Sequence, residues 1–199
     1  MSKYIVAISG ASGSAYGVSV IKGLAAAGHD IAVTASREGL SILKDETGLD
    51  WSAPDEAAIT KKIRKDLKPK PGAVSFFSED NLYAPISSGS YGTAGMYVVP
   101  CPMKTLAGIA NGYANNLIER AADVMLKERR PLVLVPRETP LSAIHLENML
   151  KLARLGVHIL PAMPGFYNHP KTVEDMVDFI AGRALDLMGV ENGLYRRWA

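Results

Sequence analysis

The sequence has a single cysteine, Cys101, which excludes a disulfide bond within the chain. One unpaired thiol is typical of proteins from reducing compartments. The few histidines do not suggest a metal either, because none has the spacing to Cys101 that zinc sites use. We therefore expect no metal site. The four histidines are His29, His145, His158 and His169.

Long apolar runs and a dominant charge are also missing. No apolar stretch approaches the length of a membrane-spanning helix, and no signal-peptide pattern precedes the first strand-like segment. Lys and Arg total 22 and Asp and Glu total 20, so the net charge is +2. Charges that are this evenly balanced do not predict binding to nucleic acid or to a membrane. Together these features predict a cytoplasmic protein without either partner.

The composition is that of an ordinary folded protein, with 48% hydrophobic and 21% charged residues in 199. This length predicts one domain, 1–199, with a tail over about 189–199. Strand-like and helix-like segments alternate, which predicts an α/β fold: a parallel sheet with helices on both faces. The predicted strands are 4–9, 31–34, 74–77, 96–99, 132–135 and 157–160, and the predicted helices are 14–27, 36–46, 55–67, 104–128 with a break near Gly112, 141–154 and 172–188.

Ligands of such a sheet bind beyond the carboxyl ends of its strands. Gly10, Ala11, Ser12 and Gly13 follow the first strand, and their small size lets backbone amides at a helix N-terminus approach a phosphate. Their spacing is neither the dinucleotide fingerprint nor a Walker loop, and a plain tight turn is the alternative. The second strand lacks the acidic residue that NAD enzymes use for the ribose, so a mononucleotide such as FMN fits better. Ser36 there is a helix N-cap, a ligand contact, or both.

The fourth and fifth strands are followed by polar residues of two kinds. Pro102, Met103, Lys104 and Thr105 open a helix whose first amides are suited to a polar ligand. Arg137 and Glu138, an adjacent cation and carboxylate, suit anion binding combined with proton transfer. A nucleophilic role for Cys101 is not expected, because no histidine partner is evident.

Other charged residues have an ordinary structural alternative. Arg120 and Lys127 share one helix face, on which Asp123 and Lys127 form an i,i+4 pair, so a solvated, salt-bridged face explains them as well as a ligand does. Glu46, near a helix end, taken alone is a solvated carboxylate. Tyr167 either donates to a phosphate or caps the core. The apolar neighbours of Arg183, which are Ile180, Ala184 and Leu187, predict a buried side chain that needs an anionic partner.

Several segments match one known family over most of the chain. They are GASGSAYG (10–17), PCPMKTLAGIANG (100–112), NLIERAADVMLKERRPLVLVPRETPLS (116–142), HLENMLKL (145–152), PGFYNHP (164–170) and the terminal Arg196-Arg197-Trp198. On these residues the sequence resembles the UbiX/Pad1 family of flavin prenyltransferases, formerly named aromatic acid carboxy-lyases. The match is weak only over about 47–80.

The resemblance implies a Rossmann-like flavoprotein fold and a homododecamer with active sites at subunit interfaces. Members of the family join a dimethylallyl group from dimethylallyl phosphate to N5 and C6 of reduced FMN, which is itself a substrate, and they need no metal. The product, prenylated FMN, is the cofactor of a partner decarboxylase of the UbiD type.

By position, the resemblance also implies roles for individual residues. FMN contacts are implied for Gly10, Ala11, Ser12, Ser36, Pro102, Met103, Lys104, Thr105 and Arg120. Contacts to the prenyl phosphate are implied for Lys127, Arg137, Tyr167 and Arg183, and catalytic roles for Ser12, Glu46 and Glu138. The family often has Ser where this chain has Pro102, so a hydroxyl and a backbone donor are lost there.

Two other functions compete with this interpretation. FMN-dependent oxidative decarboxylases of cysteine derivatives share the fold, but the early catalytic histidine and the Pro-x-Met-Asn-x-x-Met-Trp type of motif that they need are missing here. An FMN carrier or accessory subunit of an aromatic acid decarboxylase explains the glycine-rich loop. It does not explain why Lys127, Arg137 and Arg183 accompany that loop.

Overall fold

A computed structural model of the chain describes residues 1–69 and 74–198. It contains six strands: β1 (Lys3–Ile8), β2 (Asp30–Ala35), β3 (Val74–Ser78), β4 (Gly95–Cys101), β5 (Leu132–Pro136) and β6 (His158–Ile159). Seven α-helices connect and flank them: α1 (Ser14–Ala26), α2 (Arg37–Thr47), α3 (Glu56–Leu67), α4 (Met103–Ala110), α5 (Leu117–Lys127), α6 (Ala143–Arg154) and α7 (Val173–Asp186).

The strands form one sheet in the order β3-β2-β1-β4-β5-β6, and every neighbouring pair is parallel. The predicted α/β fold is confirmed. This order reverses direction between β1 and β4, and such a switch point opens a crevice beyond the carboxyl ends of the two strands. The loops after β1 and β4 are therefore the expected ligand-binding loops.

Helices cover both faces of the sheet and bury two apolar layers. One layer contains Ile21 of α1 and Leu185 of α7, and the other contains Leu106 of α4 and Met125 of α5. All seven residues of β4 are buried, as expected for a central strand that is covered on both sides. Each large apolar side chain buried in this way contributes about 1.5–3 kcal/mol to folding.

The helix predicted over 104–128 is two helices, and the break lies near Gly112 as predicted. Gly112 has a φ of 71°, a left-handed conformation that glycine adopts without strain. Asn116 then caps α5 by accepting a hydrogen bond from the amide of Glu119 at 2.9 Å. The loop over 78–95 contains one 3₁₀ turn, Pro85–Ser87. Among the described residues, no helix is both long and apolar enough to cross a membrane.

Candidate active site

The loops after β1 and β4 are tied together at the switch point. The hydroxyl of Ser9, which is buried, donates a hydrogen bond to the carbonyl of Pro100 at 3.0 Å. Gly10, Ala11 and Ser12 follow Ser9 directly. The glycine-rich loop therefore begins beside the residues that open α4.

Gly10 and Ser36 lie next to each other at the ends of β1 and β2. A Cβ at Gly10 would lie 2.9 Å from the Cβ of Glu38 and 3.8 Å from the Oγ of Ser36, so only glycine fits without movement. Ser36 caps α2, since its Oγ accepts a hydrogen bond from the amide of Gly39 at 3.0 Å. The predicted N-cap role of Ser36 is confirmed, and its hydroxyl proton remains available to a ligand.

The N-terminus of α1 is occupied by a carboxylate from α2. Gly13, the N-cap of α1, has no side chain to cap the helix. Glu46 accepts hydrogen bonds from the amide of Gly13 at 2.9 Å and from the amide of Ser14 at 3.0 Å. A carboxylate here is stabilised by the helix dipole. Glu46 thus takes the position at these two amides where the sequence suggests a phosphate. Among residues 1–69 and 74–198, the amides of Gly10 and Ser12 have no acceptor, whereas Ala11 is buried and its amide is already hydrogen-bonded within the loop.

The environment of Glu46 favours its ionised form. Burial raises the pKa of its carboxyl group, but hydrogen bonds from Ser12, Gly13 and Ser14 outweigh burial and hold the pKa below its ordinary value. Glu46 is therefore a carboxylate at neutral pH. It connects α2 to the loop that carries Ser12.

The N-terminus of α4 is open, unlike that of α1. Pro102 is its N-cap and has no amide proton, and the first bond along the helix runs from the amide of Leu106 to the carbonyl of Pro102. The amides of Met103, Lys104 and Thr105 have no acceptor among residues 1–69 and 74–198. Three free donors at the positive end of a helix dipole suit an anion such as a phosphate.

The residues after β5 lie close to the end of β4. The amide of Arg137 donates to the carbonyl of Cys101 at 3.2 Å, and the side chains of Arg137 and Glu138 are exposed. Both line a small cavity of about 100 Å³ together with Met149 and Met163. Cys101 itself is buried, and burial raises the pKa of its thiol well above the ordinary value. It is therefore not a thiolate nucleophile.

Tyr167 and Arg183 lie at the same surface as the C-terminal tail. The ring of Tyr167 packs edge-on against the rings of Phe179 and Trp198, with ring centroids 5.7 Å and 5.2 Å apart. A hydrogen bond from Arg183 to the hydroxyl of Tyr195 is the main cause that raises the pKa of Arg183, and the charge interaction with Tyr167 adds to it. The Tyr195 ring in turn packs against Phe179 with ring centroids 5.2 Å apart, so Tyr167 and Arg183 both adjoin the Phe179–Tyr195 pair.

The prediction that Arg183 is buried is wrong. Its side chain is 46% exposed, and its partners are polar: the hydroxyl of Tyr195 at 3.4 Å and a carboxylate oxygen of Asp186 at 3.8 Å. The buried stripe of α7 contains Ile180, Ala181, Ala184 and Leu185 instead. At 100° per residue, Arg183 lies roughly 130° from the centre of that stripe.

Arg120 and Lys127 lie on α5, whose first residue is tied through Glu79 to the start of α2. Arg120 pairs with Asp123 at 2.9 Å and donates to the carbonyl of Ser87, while Lys127 pairs with Glu128. The predicted pair between Asp123 and Lys127 is therefore wrong, because Asp123 is held by Arg120 one turn earlier. Lys127 ends α5 just before β5 begins and Arg137 follows the end of β5, so a strand about 13 Å long separates them within one chain.

The chain was compared with known families and proteins. It matches the Flavoprotein family model over residues 1–185. A flavin prenyltransferase UbiX from Halalkalibacterium halodurans is 48% identical over 195 residues, which cover 98% of this chain and 92% of that protein. The chain belongs to the UbiX family of flavin prenyltransferases.

Solved structures of UbiX relatives have the same fold. A dodecameric FMN-dependent UbiX-like decarboxylase from Escherichia coli O157:H7 has a TM-score of 0.86 at 44% identity, with 99% of each chain covered. AnUbiX (PadA1), in complex with FMN and dimethylallyl pyrophosphate, has a TM-score of 0.88 at 40% identity, covering 100% of this chain and 97% of that one.

The resemblance to the UbiX family implies roles for single residues only, and two hydrogen-bond networks between distant segments were not predicted. One is the capping of α1 by Glu46, for which the only signal is that Gly13 offers no side chain as a cap. The other surrounds Asp186, which accepts hydrogen bonds from Tyr195 and Arg197 of the tail. The only sign of this second network in the sequence is that Asp186 lies three residues after Arg183 on α7, a spacing that suits an ion pair.

Proposed function

We propose that this chain joins a dimethylallyl group from dimethylallyl phosphate to N5 and C6 of reduced FMN, which makes prenylated FMN. The observation that carries the proposal is the likeness over the whole chain to a UbiX relative that binds FMN and dimethylallyl pyrophosphate together. The geometry at the switch point supports it, because an open helix N-terminus lies beside a glycine-rich loop.

The residues at the carboxyl edge of the sheet fit an FMN molecule. The amides of Met103, Lys104 and Thr105 need an acceptor, and the phosphate of FMN supplies acceptor oxygens. Gly10 lets the loop approach Glu38 and Ser36 closely, because a Cβ there would lie 2.9 Å from the Cβ of Glu38, and Ser36 has a hydroxyl proton to donate. Because the amides after Pro102 are open, the donor lost at this proline does not prevent the contact.

At the other end of the site, cationic and hydroxyl groups bind the phosphate of the prenyl donor. In this proposal Arg137, Tyr167 and Arg183 stabilise the negative charge that grows on the phosphate as its bond to the dimethylallyl carbon breaks. When bound, reduced FMN supplies the electron-rich atoms that take up the dimethylallyl group.

Two carboxylates have different tasks in this proposal. Glu138 is exposed beside Arg137, so it or the released phosphate can accept the proton that leaves C6. Glu46 already accepts two backbone hydrogen bonds, so it holds the loop that carries Ser12 in place beside the flavin.

We infer that Lys127 acts in the site of a neighbouring subunit, because within one chain Lys127 lies near the amino end of β5 and Arg137 follows its carboxyl end. Arg120 lies near the start of α5, and we propose that it contacts FMN. A closed homo-oligomer brings such opposite surfaces together at each interface. The dodecamer of the Escherichia coli relative is the assembly that we propose for this chain.

We propose that residues 1–199 act as one flavoprotein domain. The product, prenylated FMN, then passes to a UbiD-type decarboxylase in the cytoplasm.

A coupled assay tests this function. The protein is incubated anaerobically with reduced FMN and dimethylallyl phosphate, and the small-molecule fraction is added to an apo-decarboxylase of the UbiD type. We expect decarboxylation that depends on both substrates and on the protein. An FMN carrier would instead activate the decarboxylase no better than reduced FMN alone, and that result would overturn the proposal.

A further inference from the structure

The C-terminal tail is fastened to α7 through one carboxylate. Asp186 is only 15% exposed, and it accepts hydrogen bonds from the tail at both of its oxygens. Oδ1 accepts from Arg197 at 2.7 Å and from Asn192 at 3.0 Å. Oδ2 accepts from the hydroxyl of Tyr195 at 2.5 Å and from Arg197 at 3.1 Å. Arg197 thus binds Asp186 with two nitrogens, the geometry that arginine favours for a carboxylate.

These four hydrogen bonds leave no acceptor position on Asp186 for a hydrogen bond from Arg183, which stays at ion-pair distance. An ionised carboxylate has about four acceptor positions, and here Arg197, Tyr195 and Asn192 fill them. Arg183 lies one turn before Asp186 on α7, but its nearest nitrogen is 3.8 Å from the carboxylate. The Arg183 side chain remains 46% exposed, and its partner Tyr195 packs on the same Phe179 ring as Tyr167.

Without Arg197, Arg183 has a competing partner. Two acceptor positions on Asp186 would open, and an arginine three residues earlier on the same helix is placed to fill them. The pair would neutralise the charge of Arg183 and turn its guanidinium toward α7. A phosphate would then have to break that pair before Arg183 could bind it.

We propose that Arg197 is a positioning residue for the prenyl phosphate: it occupies Asp186 and thereby leaves the guanidinium of Arg183 free to bind the phosphate. This inference rests on the proposed function, in which Arg183 contacts that phosphate. It gives the tail a role in substrate binding that requires no contact between Arg197 and the substrate.

Three variants test this role. Arg197→Ala frees Asp186, and Asp186→Asn/Arg197→Ala also removes the negative charge that would capture Arg183. Arg196→Ala is the matched control, because it removes the same charge from the adjacent residue, which has no ion pair with Asp186. For each variant, KM for dimethylallyl phosphate and kcat are measured at saturating reduced FMN. Calorimetry then gives the affinity of the protein loaded with oxidised FMN for dimethylallyl phosphate.

Arg197→Ala should raise KM about tenfold, the loss expected for one charge-assisted contact, with kcat within about twofold of the parent chain. The double variant should return KM to within about threefold of the parent value, and Arg196→Ala should change it less than about twofold. If the tail only stabilises the fold, the double variant should have the higher KM, because it breaks more tail contacts than the single variant does.

Two results would overturn the inference. One is an unchanged KM for Arg197→Ala. The other is a double variant as weak as the single variant, which would mean that Arg197 binds the phosphate itself or only holds the tail. Failure of the proposed function looks different, since the parent chain would then make no prenylated FMN. The calorimetric affinities still decide the inference in that case.

Discussion

Glu46 accepts a hydrogen bond from the amide of Gly13 at 2.9 Å, so a carboxylate of α2 supplies the capping side chain that Gly13, the N-cap of α1, does not have. The contact joins two segments that are 33 residues apart in the sequence. It also fixes the end of the glycine-rich loop at which Ser12 lies. Glu46 therefore supports both the start of α1 and the position of Ser12 in the glycine-rich loop.

Glu46→Gln should destabilise the protein at neutral pH and not at low pH. Hydrogen bonds hold the pKa of Glu46 below its ordinary value of 4.5, so its stabilising contribution is present above that pH and is lost as the pH falls through the lowered pKa. At pH 7 we expect a loss of about 0.5 kcal/mol, small because solvent screens an exposed carboxylate. Denaturant unfolding at pH 7 and pH 3 measures it, with Asp45→Asn as the control. An equal loss at both values would contradict the capping role.

Gly10→Ala should weaken FMN binding because the added methyl group would lie 2.9 Å from the Cβ of Glu38 and would push the glycine-rich loop away from Ser36, the other proposed flavin contact. We expect about a tenfold loss of affinity, the size of effect caused by overpacking one methyl group in a close contact. Flavin fluorescence titration measures it. Gly92→Ala is the matched control, because a Cβ there has nothing within 4 Å. Equal affinities for the two variants would place the flavin away from Gly10.

Arg183→Ala should impair use of the prenyl donor and leave FMN binding nearly intact. Losing a cation that stabilises a leaving phosphate should lower kcat/KM for dimethylallyl phosphate by about 10–100-fold. Steady-state kinetics and an FMN titration of the same preparation provide the two readouts. A matching loss of FMN affinity would mean that Arg183 belongs to the flavin end of the site.

Lys127→Ala and Arg137→Ala should complement each other in mixed oligomers. If each site takes Lys127 from one subunit and Arg137 from another, either variant alone has no intact site. Random co-assembly in equal amounts then restores about a quarter of the sites. Co-expression of the two differently tagged variants, followed by purification through both tags and an activity assay, measures this. No recovery in confirmed mixed oligomers would place both residues in one subunit's site, or Lys127 outside the site.

Much of the fold follows from the sequence because its signals are local. Buried strands such as Met96–Val99 have an apolar run of strand length, and the break near Gly112 is marked by glycine itself. The loops that flank the switch point follow from the alternation of strands and helices. Gly10, Ser36 and Thr105 could therefore be assigned from the sequence to the side of the sheet at which the strands have their carboxyl ends.

The parts that could not be predicted depend on contacts between distant segments. No local pattern indicates that Glu46 reaches Gly13, or that Arg197 reaches Asp186. The error at Arg183 has a different origin. Its apolar neighbours in the sequence include Ala184, but the buried stripe of α7 is centred on the far side of the helix.

The mass of the flavin after one anaerobic reaction shows whether this chain transfers a prenyl group to FMN. The purified protein is incubated with reduced FMN and dimethylallyl phosphate, and the extracted flavin is examined by mass spectrometry. Prenyl transfer to FMN predicts a flavin heavier by one isoprene unit. Unmodified FMN, in a sample where binding of both compounds is established, would contradict prenyl transfer and would favour an FMN carrier.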